Sequence, residues 1–100
     1  MAKRVVVWTE TATRQRREIL KYWLTRNKST AYPEKLIKQI SDQVKVIQGN
    51  PESFKLTNFS ETRLSAIGHF SILYKFTKEQ IIITAFWDSR QDPEKLAELL

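Results

Sequence analysis

The residues best suited to chemistry in this chain are a single histidine and a small set of cations. His69 is the one histidine of the sequence, and an imidazole can donate or accept a proton near neutral pH. Arg63 and Arg90 carry permanent positive charge, and Lys55 precedes them in a predicted loop. Together these groups could transfer a proton and stabilise negative charge growing on a phosphate. The competing interpretation is that His69 is only a solvated turn residue.

The composition argues against a metal centre and against a membrane span. The sequence has no cysteine and one histidine, whereas an ordinary zinc site needs several His, Cys or carboxylate ligands. No apolar run is long enough to cross a bilayer, and Met1–Arg4 leads directly into a predicted strand instead of a signal-peptide core. We therefore expect a soluble cytoplasmic protein without a cofactor.

Three strand-like segments in the second half of the chain would position the candidate residues. Polar and apolar residues alternate over 63–67 and again over 70–76, and Gly68-His69 between them predicts a two-residue turn. The segment 81–87 is apolar on both faces, which predicts an interior strand of the sheet.

The alternation predicts a polar cleft on this sheet. Arg63 and Ser65 share one face of their strand, and Ser71 and Lys75 share one face of the next. If these faces form the open side of the sheet, Arg90 enters the cleft from the end of the last strand. The alternative is that Arg90 only fixes its own loop by pairing with a neighbouring aspartate.

The first half of the chain predicts a strand followed by two helices. Val5–Trp8 has a strand composition with charged residues before it, as is typical of an edge strand. Apolar residues recur at helical spacing from Ala12 onward, which predicts the first helix. The second helix carries Pro33 in its first turn and ends at Gly49, where we expect a left-handed cap. The short loop between the helices predicts an antiparallel hairpin.

The order of elements predicts a single α+β domain over residues 1–100. In this fold the N-terminal strand precedes a helical hairpin that packs on an antiparallel four-stranded sheet. Residues 93–100 have the pattern of a short amphipathic helix with Pro93 in its first turn. This C-terminal helix would complete the domain.

Positive charge is concentrated in the predicted hairpin. The net charge is +6, and residues 1–45 hold eleven Lys/Arg against four Asp/Glu. Arg14, Arg17 and Lys21 follow one another at helical spacing and form a basic stripe. Such a stripe can bind a nucleic acid or an acidic protein, and the alternative is an ordinary solvated helix face.

Four segments, taken in order, resemble a known family. The first strand ends in Trp8-Thr9-Glu10, and the second helix closes on Gly49-Asn50-Pro51. A strand with Ile72-Leu73-Tyr74-Lys75 follows, and the last strand runs into Phe86-Trp87-Asp88-Ser89-Arg90-Gln91-Asp92-Pro93. Together they resemble the RelE/ParE superfamily, the toxins of bacterial type II toxin–antitoxin modules. The resemblance spans nearly the whole chain.

This resemblance implies a growth-inhibiting toxin and a cognate acidic antitoxin that binds it in a hetero-oligomer. RelE-like members cut messenger RNA on the ribosome without a metal, whereas ParE-like members poison DNA gyrase. The long helical hairpin favours the ParE-like interpretation. Under either interpretation, target or antitoxin contacts are expected at the following residues: Arg14, Arg17, Lys21, Lys55 and Trp87.

The RelE-like alternative implies an endoribonuclease that uses Arg63, Arg90 and His69, with Lys55 nearby. The chain departs from that pattern at Ser71, where such nucleases commonly carry an arginine. It also lacks the tyrosine or histidine that often serves as the acid near the end of the chain. A second alternative is an inactive family member that acts only in a repressor complex with its antitoxin.

Overall fold

The computed structural model describes residues 3–27 and 30–88 and confirms an α+β fold with a helical hairpin on a sheet. The predicted C-terminal helix beginning at Pro93 lies outside these residues. The elements, in chain order, are β1 Val5–Trp8, α1 Glu10–Asn27, α2 Ala31–Gly49, a single 3-10 turn Pro51–Ser53, β2 Lys55–Leu56, β3 Arg63–Ile67, β4 Phe70–Phe76 and β5 Gln80–Asp88.

The sheet has five strands in the order β1-β5-β4-β3-β2. The strands β2 to β5 are antiparallel neighbours, which the sequence predicts for β3, β4 and β5. The strand β1, which the sequence places in an antiparallel sheet, instead pairs parallel with β5 from Val5↔Gln80 to Trp8↔Ile83. The sheet is therefore mixed, and the two-residue β2, which contains Lys55, adds a strand where the sequence predicts a loop. The edge position of β1 and the interior position of β5 are both confirmed.

Local chemistry fixes where each helix begins and ends. Thr9 caps α1, since its Oγ1 accepts a hydrogen bond from the backbone N–H of Ala12 at 3.2 Å. Pro33 lies in the first turn of α2, where a missing N–H is tolerated. At the other end, Gly49 does not adopt the expected left-handed conformation. Asn50 caps the helix from an extended φ of −155°, and Pro51 prevents its continuation.

The main core lies between the hairpin and one face of the sheet. The buried side chains of α2 are spaced at helical intervals, and each fully buried aliphatic side chain contributes about 1.5–3 kcal/mol. The buried side chains of this core are Leu36, Ile40, Val44 and Ile47 from α2, Ala12 from α1, and Phe70, Ile72, Tyr74, Ile81, Ile83 and Phe86 from the strands. This packing fixes which face of the sheet is covered by helices.

A β-bulge at Thr84 places apolar residues of β5 on both faces of the sheet. Leu73 pairs with Ala85 but the next residue, Tyr74, pairs with Ile83, so Thr84 is the extra residue. Beyond the bulge the alternation is shifted by one position. Ala85 and Trp87 consequently lie on the face away from the hairpin, where they form a second cluster with Leu73 and Phe59.

Candidate functional site

Arg63 lies on the covered face of the sheet. Its neighbour on that face, Ser65, is 1% exposed and accepts a hydrogen bond from Gln43 Nε2 of α2 at 2.6 Å. The Arg63 guanidinium donates from Nη1 to the carbonyl oxygens of Phe54 at 2.6 Å and Glu52 at 3.2 Å. These contacts show that α2 crosses this part of β3. The predicted cleft needs this face of the sheet to be open, but the face is packed against α2.

The polar residues of β3 and β4 fall on opposite faces of the sheet. Arg63 pairs with Tyr74, whose side chain belongs to the main core, whereas Ser71 pairs with Trp87 of the second cluster. Lys75 shares the face of Ser71 by alternation. The predicted polar cleft, with both pairs on one surface, does not form.

The predicted catalytic residues are also separated along β3. Arg63 begins the strand and His69 lies in the turn beyond its end, and the strand alone spans roughly 13 Å at about 3.3 Å per residue. Direct proton transfer needs groups within hydrogen-bond reach, which this spacing does not give. Arg90 lies outside the described residues, so the catalytic set as a whole stays a prediction.

Tyr74 is a buried structural group beside Arg63. It is 0% exposed, and its hydroxyl donates to the carbonyl oxygen of Pro51 at 2.6 Å. Burial raises the pKa of Tyr74 to about 12, and the nearby Arg63 charge opposes this shift. The hydroxyl therefore stays protonated at neutral pH and is not suited to act as an acid there.

The predicted binding residues occupy different parts of the surface. Arg14, Arg17 and Lys21 are exposed along α1, as the stripe requires, and Lys55 is exposed on β2. Trp87 is only 9% exposed and packs in the second cluster on the other face of the sheet. Their roles in binding remain predictions.

A groove that the sequence did not reveal runs between β1, α1 and α2. Its volume is about 490 Å³, and no Asp or Glu is among the residues that line it. The lining consists of Val6, Trp8, Arg16, Leu20, Ile37, Ile40, Ser41, Val44, Lys45 and Gln48. One sequence signal for this groove was the apolar Ile37 beside Leu36 in α2, and the structure leaves Ile37 52% exposed.

Two cations lie in this apolar groove. The guanidinium of Arg16 stacks on the ring of Trp8 at 4.3 Å from its centroid, a cation–π contact. Lys45 lines the α2 side of the same groove. The groove can therefore take an apolar segment that also carries carboxylates.

In the described part of the chain, β1 is an outer strand of the sheet, and it lines the groove. Val5 N donates to Glu79 O at 2.8 Å and Thr9 N donates to Ile83 O at 3.0 Å, so the odd-numbered residues bond to β5. The peptide groups of Val6 and Trp8 consequently point away from β5. Such an edge can accept an added strand.

Where β5 extends beyond the end of β1, the buried side-chain amide of Gln15 provides a hydrogen-bond partner for the β5 backbone. The side-chain Oε1 of Gln15 accepts a hydrogen bond from the backbone N–H of Phe86 at 2.9 Å. Gln15 is 6% exposed, and its Nε2 has no hydrogen-bond partner among the described residues. This contact ties α1 to the end of β5.

Residues 6–93 match the family described as the ParE toxin of the type II toxin–antitoxin system, parDE. The chain belongs to the ParE toxin family. The RelE/ParE resemblance of the sequence is thus confirmed, and the chain is a toxin of the type II class. No curated protein sequence matches it significantly.

A solved structure supports the same fold for this ParE-family chain. The structure of a chromosomal ParDE TA system from P. aeruginosa superposes with a TM-score of 0.72 at 18% identity, covering 86% of this chain and 96% of that chain. At this identity the similarity concerns the fold alone. In the described part of this ParE-family chain, neither helix is long and apolar enough to cross a membrane, and no three His, Cys, Asp or Glu side chains are grouped to hold a metal.

Proposed function

We propose that this ParE-family toxin inhibits growth by acting on DNA gyrase and is neutralised by an acidic antitoxin that binds in the groove. The observation that carries the antitoxin assignment is the groove itself. It combines the exposed Ile37 with half-buried apolar residues, two cations and the outer edge of β1, and no carboxylate is among its described lining residues. Such a surface suits a segment that alternates apolar and acidic residues.

The position of the cations suggests how the antitoxin would dock. Arg16 and Lys45 lie on α1 and α2 and would meet carboxylates of the incoming segment. Its apolar side chains would enter between Leu20 and Ile37. Because the segment would be disordered when free, the ordering of its backbone reduces the net affinity. The ParDE system to which this fold is similar supports the expectation of an antitoxin partner.

The choice of gyrase over messenger RNA rests on the position of Arg63. Its guanidinium is held by two backbone carbonyls on the covered face of the sheet, so it is poorly placed to neutralise a cleaved phosphate. His69 lies beyond the far end of the same strand. These observations favour a binding toxin over a metal-free ribonuclease.

Brief induction of the protein in growing cells separates these functions. Incorporation of labelled thymidine and of labelled amino acids is followed side by side from the moment of induction. We expect thymidine incorporation to stop first while translation continues. An early stop in amino-acid incorporation would instead assign the protein to the ribosome-dependent nucleases, and an inert phenotype would favour the repressor-only alternative.

A further inference from the structure

The tip of the helical hairpin carries an aromatic cluster that is separate from the groove. Tyr22 and Trp23 of α1 meet edge to face with ring centroids 5.3 Å apart, and Trp23 contacts Tyr32 of α2 at 4.8 Å. The three rings join the end of α1 to the beginning of α2. We call these three rings the aromatic platform of the hairpin tip.

The outermost ring of this platform is exposed and held in place. Tyr22 is 54% exposed. Arg26 Nη1 donates to the Tyr22 hydroxyl at 3.2 Å, and its guanidinium lies 6.0 Å from the ring centroid. A pocket of about 460 Å³ lies beside the ring and is lined by Glu18, Lys21, Tyr22, Thr25 and Arg26. Exposed Tyr and Arg side chains fixed in this way are typical of interface hot spots.

The charge around Tyr22 indicates the chemistry of a partner. Exposed cations on the same helix lead up to the ring, and Glu18 is the one carboxylate among the pocket residues. These cations are Arg14, Arg17, Lys21 and Arg26. An acidic surface would be complementary to them. A nucleic acid fits less well, because its phosphates would face Glu18.

The hairpin tip and the groove can bind different partners. The groove takes Arg16 and Leu20 from α1, whereas the tip pocket takes Glu18, Lys21 and Tyr22, and no residue lines both. A segment bound in the groove therefore leaves the Tyr22 ring accessible. This separation gives the toxin a second surface for a second protein.

We propose that the hairpin tip, centred on Tyr22, docks the toxin's target through an acidic protein surface with an apolar recess for the Tyr22 ring. The inference rests on the proposed function, in which that target is DNA gyrase. The ring would fill the recess while Lys21 and Arg26 meet carboxylates at its rim.

Binding to immobilised gyrase holoenzyme tests this assignment with two variants and two matched controls. Tyr22→Ala removes the ring and Lys21→Glu reverses a charge, and we expect each to bind about tenfold or more weakly. Leu56→Ala alters an apolar residue that is also 54% exposed, and Lys78→Glu reverses an exposed charge on the β4–β5 turn. Both controls should bind like the wild type, and thermal unfolding checks that all four variants are folded.

Growth arrest on induction of the same variants distinguishes the two proposals. If the wild-type toxin does not bind gyrase, the proposed target is wrong, and loss of growth arrest in Tyr22→Ala still supports target docking at the tip. If folded Tyr22→Ala arrests growth like the wild type, the inference is overturned. The same holds if this variant arrests growth but is no longer neutralised by the antitoxin, because the tip would then bind the antitoxin and not the target. Arrest lost in Lys21→Glu but kept in Tyr22→Ala would indicate a nucleic-acid partner and also overturns it.

Discussion

Arg63 and Tyr74 lie opposite each other in the β3–β4 pair, and both side chains hold the segment that follows α2. The Tyr74 hydroxyl donates to Pro51 O at 2.6 Å, and the Arg63 guanidinium donates to Phe54 O at 2.6 Å. Together they fasten residues 51–54 to the covered face of the sheet. The arginine that the sequence offers for catalysis is thus engaged in structure.

Loss of either fastening group should lower stability more than toxicity. Arg63→Ala removes the donor to the exposed Glu52 carbonyl and the half-buried Phe54 carbonyl, and we expect the free energy of unfolding to fall by about 0.5–1.5 kcal/mol. Urea denaturation measures this loss, with Lys78→Ala as a surface control. An Arg63→Ala protein of unchanged stability that has lost its toxicity would contradict this assignment and restore the nuclease interpretation.

Tyr74 should make stability depend on pH in the alkaline range. Its pKa is raised from 10.0 to about 12 in the folded chain by burial, so the unfolded state loses the phenolic proton first. The stabilisation is complete below pH 10 and is lost as the pH rises through about 12. We expect the free energy of unfolding to decline over this window, with a shallower decline in Tyr74→Phe. Identical pH profiles for the two proteins would show that Tyr74 ionises normally.

The Gln15 amide should be needed to secure the end of β5. Gln15→Met keeps the side-chain length but leaves Phe86 N–H without its acceptor, at a cost of about 1–3 kcal/mol in unfolding free energy. Lys21→Met also introduces a methionine into α1, but on its exposed face, and should change stability little. Urea denaturation of both variants gives the comparison. Equal effects would mean that the Gln15 hydrogen bond contributes nothing specific.

Binding of the antitoxin should depend on the face of α2 that lines the groove and not on the other faces of this helix. Ile37 lines the groove and is 52% exposed, whereas Val46 lies outside its lining and is 53% exposed. Ile37→Asp places a carboxylate in the apolar groove and should weaken binding of the antitoxin about tenfold or more. Val46→Asp makes a comparable change elsewhere on the helix and should bind normally.

The probe for this comparison is the small acidic protein that we expect the adjacent reading frame to encode. Its co-purification with each variant and its ability to relieve growth arrest are both measured. Equal capture of the two variants would show that the antitoxin does not bind in the groove. The absence of any acidic protein in the adjacent reading frame would weaken the toxin–antitoxin assignment for this chain.

The sequence predicted the two helices and the four longer strands well because each of these has a strong local signal. Pro33 and the Gly49-Asn50-Pro51 run bound α2, and the predicted turn at Gly68-His69 forms, with Gly68 at a positive φ of 56°. The parallel pairing of β1 with β5 could not be read in this way. It depends on contacts between residues more than seventy positions apart, such as Val5 with Gln80.

The candidate site was less predictable because it depends on which face of the sheet the helices cover. Alternation showed that Arg63 and Ser65 share a face, but only the Gln43–Ser65 hydrogen bond reveals that α2 covers it. The bulge at Thr84 shifts the alternation of β5 and turns Trp87 away from the hairpin. No pattern in the apolar run 81–87 marks that position.

Purified gyrase provides the most direct test of the central claim. The purified toxin is titrated into gyrase, ATP and relaxed plasmid, and in parallel into programmed ribosomes with labelled messenger RNA. We predict that DNA supercoiling falls as toxin is added, that the added antitoxin restores it, and that the messenger RNA stays intact. Undisturbed supercoiling together with cleavage of the ribosome-bound messenger would contradict the account.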